Sequence, residues 1–170
     1  MKQLWAPWRM SYIEGETKAE GCIFCDKPKE RDARSNLVLG QTTHTVVMLN
    51  KYPYNNGHLL VAPRKHESRL SGLLREEYVD LSEVFRASVD VLLRALKPSG
   101  MNLGMNLGRC AGAGVEDHFH WHLVPRWDGD TNFMPVVAEV RVMPQHLLES
   151  YDRLIPFFRD ILVQGNGQIS

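Results

Sequence analysis

Three histidines alternate with apolar residues in the segment HFHWHL, residues 118–123 of the chain. Successive side chains of a β-strand point to opposite faces, so this alternation predicts a strand with all three imidazoles on one face. Phe119, Trp121 and Leu123 then lie on the other face, where we expect them to be buried. The chain has only seven histidines, so three in strict alternation indicate a functional site rather than three separate structural roles.

The reactions that three neighbouring histidines can support follow from the chemistry of imidazole. Imidazole is partly neutral near pH 7 and serves as a nucleophile, a general acid or base, or a metal ligand. A zinc enzyme that uses His118, His120 and His122 as its metal ligands is therefore one interpretation. A nucleophile that attacks a bound phosphate is another, and the sequence just before the row favours it.

The segment before the histidines is rich in glycine, since residues 102–114 read NLGMNLGRCAGAG. Without Cβ atoms a loop can bring its backbone N–H groups close to phosphate oxygens, although a tight turn between two strands would use glycine as well. Arg109 and Arg126 are nearby candidates for the positive charges that would face a phosphate. Beside a row of histidines, we interpret this loop as a phosphate cradle facing a nucleophile.

The rest of the chain predicts an α+β fold, with an antiparallel sheet packed with one long helix plus a C-terminal helical segment. Apolar residues recur at helical spacing over residues 73–96, and Pro98 with Gly100 ends that helix. The C-terminal helical region opens at Pro144 and is expected to be interrupted at Pro156. Segments rich in β-branched and apolar residues predict strands at residues 43–49, 58–62, 101–107, 119–124 and 136–142.

Length and composition favour a single domain, because 170 residues with 44% hydrophobic content suffice for one core and hardly for two. We expect an N-terminal arm over residues 1–35, a central core over 36–127 and a C-terminal extension over 128–170. The 20 basic and 20 acidic residues cancel, so no global field draws the chain to nucleic acid or to a membrane. The sequence has neither an apolar run of about 20 residues nor a signal peptide, which predicts a cytoplasmic protein.

A Cys-x-x-Cys pair, Cys22 and Cys25, lies in the N-terminal arm. Such a pair serves either as half of a zinc site or as a redox-active dithiol. A thioredoxin-like motif would begin a helix within a βαβ unit, and the surrounding residues do not show that pattern. Three cysteines are an odd number, which favours a reducing compartment over a disulfide scaffold. Zinc would need two further ligands.

The triad and the residues after it, His118-x-His120-x-His122-Leu-Val, resemble the defining motif of the histidine-triad (HIT) superfamily. That resemblance implies a HIT-like fold and a homodimer that pairs through the long helix and its adjoining strand. Five further blocks, in order along nearly the whole chain, resemble the diadenosine tetraphosphate phosphorylase branch: LWAPWR (4–9), CIFC (22–25), LNKYPYNNGHLLVAPRKH (49–66), NLGRCAGAG (106–114) and VPRWDGDTNFMP (124–135).

The resemblance assigns chemistry to individual residues. It implies that His120 attacks the α-phosphorus to form a nucleotidyl-imidazole intermediate, while His122 hydrogen-bonds the phosphate and orients the site. It also implies a closed structural zinc site in which His66 and His118 join the cysteine pair. The positions that would contact the nucleotide or its phosphates are Asn50 at the ribose, Asn106, Gly112, Ala113, Gly114, and Trp127 near the distal nucleotide.

The implied reaction is phosphorolysis of diadenosine tetraphosphate to ADP and ATP, with inorganic phosphate as the second substrate. Hydrolase branches often carry glutamine or serine where this chain has Ala113 and Gly114, and the smaller residues leave room for phosphate. Hydrolysis of dinucleotides, phosphoramidates or adenylates at the same His120 is the alternative. A non-catalytic nucleotide-binding module is a third hypothesis, against which the intact His120 argues. Cys110 has no assigned role, and the histidines outside the triad and the zinc set are interpreted as structural or surface residues: His44, His58 and His146.

Overall fold

The structure, a computed structural model, describes residues 21–130 and 146–162. Within these residues it contains one five-stranded antiparallel sheet and three α-helices, which confirms the predicted α+β class. None of these helices is long and apolar enough to span a membrane. The strands are β1 (Val38–Gln41), β2 (Thr45–Leu49), β3 (Leu59–Pro63), β4 (Gly100–Met105) and β5 (Trp121–Arg126), and the helices are α1 (Ile23–Asp26), α2 (Arg75–Leu96) and α3 (Leu147–Leu162).

The sheet has the strand order β1-β2-β3-β5-β4, with every neighbouring pair antiparallel. Strands β1, β2 and β3 follow one another through short connections. Helix α2 then leads to β4 at the edge of the sheet, and β5 returns between β3 and β4. Because β5 is paired on both sides, its residue His122 lies opposite Leu60 of β3 and Gly104 of β4.

The two faces of the sheet carry different cores. Cross-strand partners share a face, so Leu49, Leu59 and Leu123 lie together, and they belong to the main cluster that packs against α2 and α3. Their neighbours along each strand point the other way, which places His122 on the face opposite the helices. That second face is covered by a smaller cluster consisting of Phe24, Val38, Val46, Met48, Leu60 and Ala62.

Helix α2 is fixed at its first turns by two carboxylates. The Leu74 backbone N–H donates to the Glu77 carboxylate at 2.8 Å, which satisfies a donor that the helix leaves unpaired at its start. One oxygen of Asp80 accepts hydrogen bonds from the hydroxyls of Thr42 and Thr45, each at 2.6 Å. The helix therefore begins at a fixed point beside the β1–β2 hairpin.

Two sequence-based boundaries were wrong. Strand β5 begins at Trp121, so His118 and His120 lie in the segment that precedes it, with His118 at a bend. Helix α3 continues through Pro156 without interruption, although proline removes one hydrogen bond there. Leu154 and Phe158, on either side of the proline, are both buried, and this packing offsets the lost bond. The strand predicted at residues 136–142 lies outside the described residues, and β1 was not predicted.

Candidate active site and metal site

The three histidines of the motif lie together on the side of the sheet opposite α2 and α3. The His118 and His120 side chains are 0% and 4% exposed, and the ring of His120 lies 4.8 Å from that of His122. Each imidazole forms a different hydrogen bond, so the three side chains are not equivalent. Because most of these bonds involve the backbone, whose carbonyls only accept and whose amides only donate, they define which ring nitrogen carries the proton.

His120 presents an unprotonated nitrogen. Its Nδ1 lies 3.0 Å from the carbonyl oxygen of His118, which can only accept, so Nδ1 carries the proton. The other ring nitrogen, Nε2, then holds a lone pair. Burial lowers the pKa of His120, although the bond to the carbonyl acts in the opposite direction. The ring is therefore neutral near pH 7, which is the form that a nucleophilic imidazole requires.

A fourth histidine, His58, orients His122. The Tyr54 backbone N–H donates to His58 Nδ1 at 3.0 Å, so the proton of a neutral His58 is on Nε2. That Nε2–H donates to His122 Nδ1 at 2.9 Å. The proton of a neutral His122 must then be on its own Nε2. The Tyr54 ring covers this pair, with centroid distances of 4.8 Å to His58 and 5.9 Å to His122.

His122 directs a buried N–H toward the site. Its Nε2 is buried and has no hydrogen-bond partner among residues 21–130 and 146–162. An unsatisfied buried donor costs free energy and is uncommon in native structures unless it serves a bound group. Burial, together with the nearby His120, lowers the pKa of His122 to about 4. His122 is therefore a neutral donor at physiological pH.

Sequence reasoning missed His58 by interpreting it as structural or surface. Its side chain is fully buried and forms part of the site. A signal was present in the strand alternation, since His58 has the same parity as Leu60 and Ala62 and therefore faces the same side as the triad. Identifying it also required the pairing of β3 with β5, which the sequence alone does not provide.

Three other residues that the sequence predicts near the nucleotide or its phosphates lie in different parts of the structure. Asn50 follows β2, with its Nδ2 at 3.4 Å from His58 Nδ1 and its Oδ1 accepting from the Tyr52 N–H. Trp127 packs against the main core cluster on the helix side of the sheet. Arg126 forms a two-pronged ion pair with Asp130 and also donates to Asn102, so its guanidinium is engaged in bracing the end of β5.

The glycine-rich loop is a compact turn ahead of the triad. Gly108 and Gly112 adopt φ of +80° and +86°, a region that disfavours residues with a Cβ. The Asn106 amide donates to the Gly112 carbonyl at 3.3 Å and braces the loop. The Ala113 N–H donates to the Gly108 carbonyl, also at 3.3 Å, so that amide must exchange a long hydrogen bond before it can contact a phosphate. Arg109 begins the 3₁₀ turn Arg109–Ala111 within this loop.

A second group of side chains matches the predicted metal ligands. One donor atom each from Cys22, Cys25, His66 and His118 lies within 4.8 Å of the others. The Nδ1 of His118 lies 3.2 Å from Cys22 Sγ and 3.6 Å from Cys25 Sγ, and Cys25 Sγ lies 3.3 Å from His66 Nδ1. Ligands of a tetrahedral zinc are separated by about 3.3–3.8 Å, given its bond lengths. The donor set and its spacing therefore fit a zinc ion.

The hydrogen bonding of His118 also prepares it as a ligand. Its Nε2 lies 2.7 Å from the Pro63 carbonyl and must carry the proton, which leaves the lone pair of Nδ1 facing the cysteines. The three triad imidazoles thus point at three different targets and do not converge on one metal. This arrangement argues against a zinc enzyme with the triad as its ligand set.

The cysteine pair does not have the character of a redox dithiol. Burial, together with the Cys22 thiol, raises the pKa of Cys25 to about 11. A reactive redox cysteine instead has a pKa below its ordinary value. A divalent cation between the thiols would reverse this effect, because its charge stabilises the thiolates. The local electrostatics favour the metal-ligand interpretation of this pair.

Comparisons with known proteins agree with this geometry. A sequence model described as the HIT domain matches residues 31–129. A Mycobacterium tuberculosis protein named AP-4-A phosphorylase is 35% identical over 163 residues, covering 91% of this chain and 83% of that protein. An adenosine 5'-monophosphoramidase from Schizosaccharomyces pombe is 31% identical over 105 residues, covering 62% of this chain and 74% of its own.

A solved structure supports the fold assignment. A zinc-bound histidine triad family protein from Mycobacterium smegmatis superposes with a TM-score of 0.62 at 23% sequence identity, covering 83% of this chain and 95% of that one. Sequence and fold therefore lead to the same assignment. The chain belongs to the histidine triad (HIT) family and is a nucleotide-processing enzyme of the phosphorylase or hydrolase type.

Proposed function

We propose that this enzyme cleaves dinucleoside polyphosphates at the α-phosphate, and that its main reaction is phosphorolysis of diadenosine tetraphosphate to ADP and ATP. The observation that carries this proposal is the complementary state of two neighbouring imidazoles. His120 offers an Nε2 lone pair, while His122 offers an Nε2–H with no partner in the described chain. The relative named AP-4-A phosphorylase supports the choice of substrate.

In the first step, His120 Nε2 attacks the α-phosphorus, a nitrogen–phosphorus bond forms and the bond to the bridging oxygen breaks. ATP leaves, and the adenylyl group remains on the imidazole. In the second step, an oxygen of inorganic phosphate attacks the same phosphorus, ADP forms and the imidazole is released. One difficult displacement becomes two easier ones, because a neutral imidazole is both a good nucleophile and a good leaving group.

His122 stabilises both steps from a fixed position. Its Nε2–H donates to an oxygen of the reacting phosphoryl group, where negative charge develops. Hydrogen bonds from the backbone through His58 determine its tautomer, so the donor is oriented before the substrate binds. We assign the backbone N–H of Gly114, in the loop before the triad, as a second donor to the same group. Asn50, beside His58, is assigned to the ribose hydroxyls.

The first experiment incubates the protein with diadenosine tetraphosphate, with and without inorganic phosphate, and separates the nucleotides by chromatography. We expect ADP and ATP in equal amounts, formed only when phosphate is present. A His120→Ala variant should lose at least about 10³-fold in rate, because it removes the nucleophile. His44→Ala, which replaces a histidine outside the site, should retain the wild-type rate.

The product pattern also decides among the alternatives. AMP and ATP formed without phosphate would identify a hydrolase. Turnover of adenosine 5'-phosphoramidate alone would favour the activity named for the yeast relative. Binding of nucleotide with no turnover of any of these substrates would contradict an enzymatic role for His120.

The orientation of His122 through His58 provides a second test. A His58→Phe variant keeps a buried ring but removes the donor to His122 Nδ1, so the Nε2–H tautomer is no longer selected. We expect kcat to fall about 10- to 100-fold, the range typical for loss of a partner that orients a functional histidine. Nitrogen NMR of labelled histidine should show a neutral, Nε2-protonated His122 in the wild type even at about pH 5.5, because its pKa is lowered from 6.5 to about 4. An unchanged kcat in the variant, or a wild-type His122 that titrates near 6.5, would contradict this role.

We further propose that the metal group, which consists of Cys22, Cys25, His66 and His118, holds one structural zinc. When bound, zinc would neutralise the two thiolates and close a four-coordinate site that ties the segment carrying Cys22 and Cys25 to His66 and His118. The ligand spacing supports this assignment, as does the zinc reported for the Mycobacterium smegmatis protein of the same fold.

Metal analysis tests the zinc proposal. The purified protein should contain about one zinc per chain, and Cys25→Ser should lose it because a hydroxyl is a poor zinc ligand. Cys110→Ser serves as the matched control, since Cys110 is exposed and lies outside the metal group. The Cys25→Ser variant should also melt at a lower temperature than the control. Zinc retained in both variants, or absent from the wild type, would exclude this site.

We also propose a homodimer that pairs through β4. This strand is an edge of the described sheet, and its Leu103 side chain is 47% exposed. Tyr78 and Leu93 of α2 are exposed as well. Unprotected edge strands pair readily with another chain. Light scattering should give a mass twice that of the chain, and Leu103→Arg should reduce it to a single chain; a wild-type monomer would exclude the dimer.

A further inference from the structure

Phe24 lies between the two groups of functional side chains. It belongs to α1, the single turn between the metal-site cysteines, and its side chain is only 1% exposed. Its ring lies 5.0 Å from the ring of His118 and 4.8 Å from that of His120, tilted in both cases. One aromatic side chain therefore contacts a metal-site histidine and the nucleophile at the same time.

The His120 ring needs such a contact to hold its direction. Among residues 21–130 and 146–162 its side chain forms one hydrogen bond, from Nδ1 to the His118 carbonyl, which fixes one atom and still permits the ring to tilt. Two aromatic contacts also restrain the ring, from His122 at 4.8 Å and from Phe24 at the same distance. Displacement of a reacting atom by about 1 Å can cost 10²-fold in rate. Packing against the His120 ring therefore affects the rate of the proposed reaction as well as the stability of the fold.

The turn that carries Phe24 depends on its surroundings for its shape. It has four helical residues, far fewer than an independent helix requires. Its local hydrogen bonds run from the Cys25 and Asp26 N–H groups to the Cys22 carbonyl, from the Lys27 N–H to the Ile23 carbonyl, and from the Cys22 N–H to the Asp26 carboxylate. Beyond these, the turn is held by Phe24 in the second core cluster and by the two thiols at the metal group. A change at the metal group therefore acts directly on the position of Phe24.

We propose that Phe24 is a positioning residue for His120, and that the metal-site turn controls the direction of the nucleophile through the Phe24 ring. This inference rests on the proposed function, in which His120 is the nucleophile. It assigns the metal group a role beyond stability, because the turn that carries two of its ligands also carries a side chain packed against the reacting imidazole.

The test uses Phe24→Leu in the zinc-loaded protein, with Val46→Ala as the matched control. Leucine stays apolar but has no flat ring to support His120. Val46→Ala removes more buried apolar volume than Phe24→Leu does, and removes it from the same cluster, on β2. We expect both variants to keep their zinc and Val46→Ala to lose at least as much stability as Phe24→Leu. Only Phe24→Leu should lower kcat, by about 10- to 100-fold, with little change in KM.

Nitrogen NMR of labelled histidine gives a readout that does not require turnover. The His120 signal is assigned by its absence in His120→Ala. In Phe24→Leu we expect this signal to broaden or split, while Val46→Ala matches the wild type. Removing zinc from the wild type with a chelator should produce the same change, and removing it from Phe24→Leu should add little. Phe24→Met serves as a second variant if the leucine substitution impairs folding.

The possible outcomes are distinct. Wild-type kcat and an unchanged His120 signal in Phe24→Leu would overturn the proposal, as would an equal loss of kcat in Val46→Ala. A wild-type protein that turns over no nucleotide, but whose His120 signal depends on Phe24 and zinc, would remove the proposed reaction and still support the positioning role. A His120 signal that responds to zinc equally in wild type and Phe24→Leu would overturn the coupling through Phe24.

Discussion

The pairing of β5 with both β3 and β4 is the constraint on which the rest of the site depends. It sets His122 opposite Leu60, within reach of His58 at the start of β3. It also carries the preceding residues past the end of β3, where His118 Nε2 donates to the Pro63 carbonyl. A shift of one residue in this register would turn His122 toward α2 and α3, because side chains alternate along a strand.

Given that register, backbone groups determine the protonation of every imidazole in the site. A carbonyl of Pro63 fixes His118, a carbonyl of His118 fixes His120, and an amide of Tyr54 fixes His58 and through it His122. Burial then keeps His120 and His122 neutral by lowering their pKa values. The four histidines differ in role because each imidazole has two nitrogens, and in each ring a different neighbouring group determines which nitrogen carries the proton.

The metal group, His120 and His122 form one connected structure. His118 belongs to both, since its Nδ1 faces the cysteines and its carbonyl accepts from His120. Phe24 connects them a second time through ring packing. This double connection accounts for a cysteine pair in a segment far from the triad in sequence: a short turn that would not fold alone is held in place by groups that also contact His120, the proposed nucleophile.

The sequence by itself determined the fold class, the triad and the metal donor set, because these depend on local alternation, helical spacing and a family motif. It also predicted the ends of α2 to within two residues, since apolar residues along one face of a long helix are a strong local signal. Only the tertiary structure decided the role of His58, the orientation of each ring and the contact between Phe24 and His120. Those features arise from pairing between segments distant in the chain, and no local pattern encodes which ring nitrogen faces a carbonyl, an amide or a substrate. For the same reason the uninterrupted course of α3 through Pro156 was missed, since packing against the sheet outweighs the local penalty of proline.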